Sequence, residues 1–125
     1  MVWFESSPHR LLIEKKALER SFPQFYFIRR EYELGARGYL TTRSGGYYSI
    51  EIWYPSDYPY DAPRVYVLSP SILDAPHKFG SNQICVHYNE WRSHYTIAVM
   101  IGWAAHWLHS YEVWEKTRNW PGSEI

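Results

Sequence analysis

Tyr54-Pro55-Ser56-Asp57-Tyr58-Pro59-Tyr60-Asp61-Ala62-Pro63 places three prolines within ten residues. Proline fixes φ and lacks an N–H, so this density rules out the interior of a helix or a strand. The segment reads as a stiff, extended loop whose aromatic rings anchor it to a core. Immediately before it, residues 47–54 alternate cleanly. Tyr48, Ile50, Ile52 and Tyr54 point one way; Tyr47, Ser49, Glu51 and Trp53 point the other, which is the period of a strand. Immediately after it, Arg64 to Leu68 reads as another strand. The proline loop is therefore a link between two strands of one sheet.

Two more strands precede these. Gln24 to Arg30 carries Phe25, Tyr26, Phe27 and Ile28, and Tyr32 to Thr42 is interrupted by Gly35 and Gly38, which suggests a bulge or an exposed strand. Ser44-Gly45-Gly46 is a hairpin turn. Consecutive strands with short links make an antiparallel meander of four strands. Further out, Ser7-Pro8 reads as a helix start, with Ser as N-cap and Pro in the first helical position. That helix runs to about Ser21, with Leu11, Leu18 and Phe22 on one stripe, and Pro23 stops it. Arg10, Lys15, Lys16 and Arg20 make it basic. They form either a solvated face or a docking surface for a protein partner.

On the C-terminal side, Ser69 to Tyr95 has little periodicity. Ile97, Met100, Ile101, Ala104, Ala105 and Leu108 then recur at helical spacing as a core stripe. Trp103, Trp107, Tyr111 and Trp114 form a second, aromatic stripe, either covered or an exposed ridge for a partner. Asn119-Trp120-Pro121-Gly122 ends the helix. The fold class is α+β: an N-terminal helix, a four-stranded antiparallel sheet, an irregular segment, and a C-terminal helix packed on the sheet. Residues 1–125 read as one domain.

Composition narrows the function. Thirteen basic and thirteen acidic residues cancel, which argues against a general nucleic-acid binder. No apolar run approaches a membrane span, and Met-Val-Trp-Phe-Glu-Ser-Ser-Pro has no signal-peptide character, so the expectation is a cytoplasmic protein. Aromatic residues are 19% of the chain, enough for both a packed core and a partner-binding face. The chemistry concentrates in the irregular segment. It holds the single cysteine, Cys85, and three of the six histidines, His77, His87 and His94, lie within ten residues of it. A lone thiol fits a reducing compartment, as a buried hydrophobe or as a nucleophile.

Two separated motifs carry a resemblance. Tyr54-Pro55 through Tyr58-Pro59 to Pro63, between the third and fourth strands, matches an aromatic-Pro-x-x-Tyr-Pro-x-x-x-Pro loop. Ile84-Cys85-Val86, followed by Trp91, matches an Ile-Cys-Leu-like triplet with a tryptophan several residues on. Both belong to the ubiquitin-conjugating enzyme family, which the chain resembles from Pro8 to Leu108. The resemblance implies the ubiquitin-conjugating fold and a catalytic cysteine at Cys85. It also shows departures. Where the family has His-Pro-Asn, with the asparagine eight residues before the cysteine, this chain has Ala75-Pro76-His77. Trp91 is followed by Arg92-Ser93 rather than by Ser/Thr-Pro, and the usual C-terminal helices are missing or fused. In these respects the chain is similar to compact bacterial members of anti-phage, CBASS-like operons, some of which lie beside cGAS-like nucleotidyltransferases.

The resemblance implies an acyltransferase cycle. Cys85 takes a protein C-terminus as a thioester from an activating enzyme, acting in trans in one arrangement, and an amine then attacks the carbonyl. The passenger is a ubiquitin-like protein or a nucleotidyltransferase C-terminus. His77, in the asparagine position, is the expected oxyanion-stabilising residue; a histidine donates a similar hydrogen bond and can also move a proton. An unperturbed thiol titrates at about 8.5, so His77, His87 or Lys78 in charged form would favour the thiolate. Glu90 or His87 is a candidate for deprotonating the amine. The cycle needs no metal, cofactor, nucleic acid or membrane. Three rivals stand beside it. One is a binding module of the same fold that stably holds a partner protein. Another is a cysteine hydrolase using Cys85, a nearby histidine and Asn89. The third is a zinc site from Cys85, His77, His87 and His94, which lacks any recognised ligand spacing.

Overall fold

In the computed structural model, which describes residues 1–86 and 89–122, the chain opens with a single helical turn, α1 (Trp3–Ser6), and a longer helix, α2 (Pro8–Ser21). Pro8 takes the first helical position, as expected. Ser7 stands at the N-cap but its side chain makes no capping bond; it is also the C-cap of α1, and its N–H bonds Trp3 O at 2.8 Å. One serine joins two helices, and its backbone is bound to the first.

Four strands follow as a meander: β1 (Tyr26–Arg30), β2 (Glu33–Thr41), β3 (Tyr47–Trp53) and β4 (Arg64–Ser69). A fifth, β5 (Gln83–Ile84), adds to the far edge, so the order is β1-β2-β3-β4-β5, antiparallel throughout. The sequence reading did not include β5, because two residues carry no period. The final helix, α3 (Ile97–Thr117), has Thr96 as N-cap, its hydroxyl accepting Ala98 N–H at 3.3 Å, and Arg118 in left-handed geometry as C-cap.

Gly35 and Gly38 mark neither a bulge nor an exposed strand. They lie in β2, an interior strand paired on both sides. A Cβ on Gly38 would come within 2.5 Å of the Phe25 ring, and one on Gly35 within 2.6 Å of the Ile52 carbonyl oxygen. Close approach, not local irregularity, requires glycine there. The register shift of this sheet lies instead between Ser49 and Ile50.

The inward set of β3 is as its alternation predicts: Tyr48, Ile50, Ile52 and Tyr54 are buried. They pack with Val65, Val67, Ile97, Met100, Ile101, Ala104 and Leu108 in one hydrophobic cluster between sheet and α3. Glu51 and Trp53 point to the other face yet are also buried. Arg37 donates to Glu51 through Nε at 3.0 Å, Trp53 Nε1 donates to it at 2.7 Å, and the Arg30 guanidinium lies 4.0 Å from the Trp53 ring centre. Burial disfavours the Glu51 charge, but these donors and the two arginines outweigh it and lower its pKa.

Candidate active site

The segment after β4 returns along the sheet edge through a narrow ladder. Phe79 N–H donates to Gln83 O at 2.8 Å, Lys78 and Ile84 form a bridge, and Cys85 N–H donates to His77 O at 2.8 Å. Val67 N–H donates to Asn82 O at 2.9 Å and fastens this ladder to β4. Cys85 and His77, eight residues apart, are thus side by side through one backbone bond. His77 adopts φ 62°, the left-handed region, which asparagine, aspartate and histidine enter more readily than other side chains. Its carbonyl takes a second donor, Trp107 Nε1 of α3, at 3.1 Å.

Cys85 is only 6% exposed. The thiol that the resemblance makes a nucleophile is therefore shielded. Its neighbours Ile84 and Val86 are both buried in the core and draw the triplet inward from both sides. Lys78 Nζ is committed to Leu73 O, at 3.2 Å. Of the four side chains considered for zinc, His87 lies outside the described residues. Among the described residues no group of three or more His, Cys, Asp and Glu side chains could hold a metal ion, so Cys85, His77 and His94 do not converge on one. The proposed helper Glu90 is exposed, and His94 packs on Tyr95 with ring centres 4.7 Å apart.

The proline loop sits against this segment. Trp91 Nε1 donates to Pro59 O at 2.8 Å, and its ring lies 5.8 Å from Tyr58. Behind Tyr58 lies Glu14, fully buried on α2. Its carboxylate accepts Tyr54 Oη at 2.9 Å, Tyr58 Oη at 2.8 Å, Ile97 N–H at 2.8 Å and Arg10 Nε at 3.0 Å. Arg10 continues outward, donating to Tyr58 Oη at 2.9 Å, to Ser93 O at 2.9 Å and to Tyr95 O. Burial and the Glu14 carboxylate push both tyrosine hydroxyls well above their ordinary range, so they remain protonated donors. Burial opposes the Arg10 charge, but Tyr58 and Glu14 outweigh it. One carboxylate therefore ties α2, the proline loop and the first turn of α3 together, and Arg10 adds the segment after Trp91.

The family model described as "Type II CBASS E2 protein" matches residues 14–125. The chain belongs to this family. It is a compact, bacterial, E2-like protein of the CBASS anti-phage systems, and the resemblance read from the two motifs holds. Membership implies conjugating activity in general and partner proteins in the operon. No curated protein matches the chain. In this CBASS E2-like chain no helix among the described residues is long and apolar enough to cross a membrane.

Against that background the sequence reading missed two residues. Glu14 lies three residues after Leu11 and four before Leu18, on the very stripe assigned to the core. That phase was the available signal; the Arg10–Glu14 spacing instead looks like a surface ion pair. Trp120 is the other. Its sequence context, Asn-Trp-Pro-Gly, signals only a helix stop, yet its ring lies 5.1 Å from the His77 imidazole and 5.4 Å from Trp107. The aromatic stripe of α3 is not an exposed ridge. Trp107 and Tyr111 are buried, and Trp103 and Trp114 are partly buried against the same cluster. Leu73 N–H donates to Tyr111 Oη at 2.8 Å and Trp120 packs on Trp107, so the segment leading to His77 and the tail after α3 cover the middle of the stripe, while Tyr95 lies 5.8 Å from Trp103.

Proposed function

We propose that this CBASS E2-like chain is an acyl carrier acting in the cytoplasm, with Cys85 as the thioester-forming residue and His77 as the oxyanion-stabilising one. In the first step the Cys85 thiolate attacks the carbonyl of an activated protein C-terminus. A new carbon–sulfur bond forms and the donor leaves as a thiolate. In the second step an amine attacks the same carbonyl. An amide forms, the Cys85 thiolate departs, and the nitrogen loses a proton to solvent or to a nearby base. The negative charge gathers on the carbonyl oxygen at both tetrahedral stages, and a hydrogen-bond donor beside Cys85 lowers those barriers. The passenger is the C-terminus of a ubiquitin-like protein or of a cGAS-like nucleotidyltransferase.

The observation that carries this reading is the 2.8 Å bond from Cys85 N–H to His77 O in a chain of an E2 family. It supports the pairing of a thiol with a donor in the position the family gives to asparagine. The shielding of Cys85 favours a second reading, a binding module of the same fold that holds a partner without forming a thioester. Intact mass under non-reducing conditions, on protein recovered from its host, separates the two. A carrier shows a protein-sized adduct that thiol removes and that becomes thiol-resistant in Cys85→Ser. A binding module shows the bare chain with one stoichiometric partner, unchanged by Cys85→Ala. Release of a free acid instead of transfer to an amine marks a hydrolase.

A further inference from the structure

The backbone of His77 is fixed by the bonds that its carbonyl accepts from Cys85 N–H and Trp107 Nε1. Its imidazole is a separate matter. Two side-chain torsions remain, and among the described residues no side-chain hydrogen bond sets them. What lies against the ring is Trp120, at 5.1 Å between centres and tilted by 58°. Trp120 is itself held. Its ring is 5.4 Å from Trp107, which stacks on Tyr111 at 5.4 Å and 7°. The left-handed Arg118 turns the chain at the end of α3, its N–H bonding Trp114 O at 2.6 Å, and the tail then carries Trp120 to His77.

We propose that Trp120 is a positioning residue for the transfer step: its indole holds the His77 imidazole in the orientation from which it steadies the oxyanion formed at Cys85. The inference rests on the proposed function. It assigns a role to the tail beyond α3, a part of the chain that the two motifs do not reach. An indole packed at a tilt against an imidazole limits its torsions and offers it no lone-pair acceptor, so the ring can be held and still donate to a transient oxyanion.

The test needs no activating enzyme. A short peptide bearing a C-terminal glycine thioester of mercaptoethanesulfonate loads Cys85 by thiol exchange, releasing mercaptoethanesulfonate. Free lysine then discharges it to an amide, returning the thiolate and a proton. Loading and discharge are followed separately by intact mass. Thiolate exchange is intrinsically fast and needs no proton to leave the nucleophile, whereas amine attack depends more on the oxyanion donor. Trp120→Ala is expected to slow discharge about tenfold while loading changes less than about threefold, in line with the loss of donor alignment. Trp120→Phe restores discharge to within about threefold, because a ring is again present. In a His77→Ala background Trp120→Ala has no further effect on discharge, since the group it positions is gone. A discharge rate indifferent to Trp120, or one that falls equally with and without His77, overturns the positioning role and leaves the carrier reading standing. Failure of the wild-type chain to take the peptide on Cys85 overturns both.

Discussion

His77 shows how one position answers two demands. The turn before Cys85 needs a residue at φ 62°, and the proposed chemistry needs a donor there. Replacing the asparagine of the wider family with histidine keeps both, because both side chains tolerate the left-handed region. The two demands separate by mutation. Glycine enters this region without steric cost, so His77→Gly is expected to leave stability within about 1 kcal/mol of the parent. Both variants lose the ring packed on Trp120, but alanine keeps the backbone penalty that glycine relieves, so His77→Ala is expected to cost about 1–2 kcal/mol. Urea melts of the two variants check this, and both should slow discharge of a Cys85 thioester alike. Equal destabilisation by the two would contradict a strained turn. The identity of this position was legible in the sequence, from Pro76 and its distance to Cys85. Its backbone geometry was not, since φ is set by the ladder that binds Cys85 N–H and Trp107 to its carbonyl.

Helix α2 and helix α3 are joined to the rest by buried or half-buried carboxylates. Glu14 accepts donors from the proline loop and from the first turn of α3, where the helix dipole favours a negative charge. Removing it leaves buried donors without an acceptor. Glu14→Ala is expected to cost about 3–5 kcal/mol, and Glu14→Gln about 2 kcal/mol because its amide oxygen still serves some of the donors. Chemical denaturation measures both; a loss under about 1 kcal/mol for alanine would show that water replaces the network. At the other end of α3, Glu112 accepts Thr42 Oγ1 at 2.8 Å, Ser44 Oγ at 2.9 Å and Tyr48 Oη at 2.8 Å, clamping the β2–β3 turn. Burial works against its charge, but these donors and Lys116 prevail and hold its pKa below the ordinary 4.5. A carboxylate lowered in the folded state adds stability that is fully present above its unfolded pKa. That stability is lost as pH falls below about 4.5 and through the folded value. Glu112→Gln is therefore expected to flatten the acid limb of a melting-temperature profile while changing its neutral plateau less. An unchanged acid limb would place the acid sensitivity elsewhere, with Glu51 the next carboxylate to test.

On the scale of the whole molecule, the regular halves were legible and the seams between them were not. Periodicity found β3 and α3, whose inward stripes are buried, and composition with turn and cap signals found α2, β1, β2 and β4. It could not say what covers the second stripe of α3, since Leu73, His77 and Trp120 reach it from segments without a period. Nor could it find β5, whose two residues, Gln83 and Ile84, pair with Tyr66 and Val65 of β4 on one side and with the Lys78–Phe79 stretch on the other. The site segment is held by few backbone bonds, whereas β2 and β3 pair along most of their length. Hydrogen exchange should follow suit, with amides of residues 71–82 exchanging at least about tenfold faster than those of β3 and of α3. Equal protection would mean that the segment opens only with the sheet. Glu14 carries a different consequence. Its charge leaves water with full compensation only when the tyrosines of the proline loop and the start of α3 have both arrived, from positions 40 and 83 residues away. A half-assembled chain would hold a buried, underpaired anion, so partial structures are penalised and assembly is all-or-none. Tryptophan fluorescence and far-ultraviolet circular dichroism should therefore trace one coincident unfolding curve in the parent. In Glu14→Leu, which removes the anion, the two curves are the ones to drift apart.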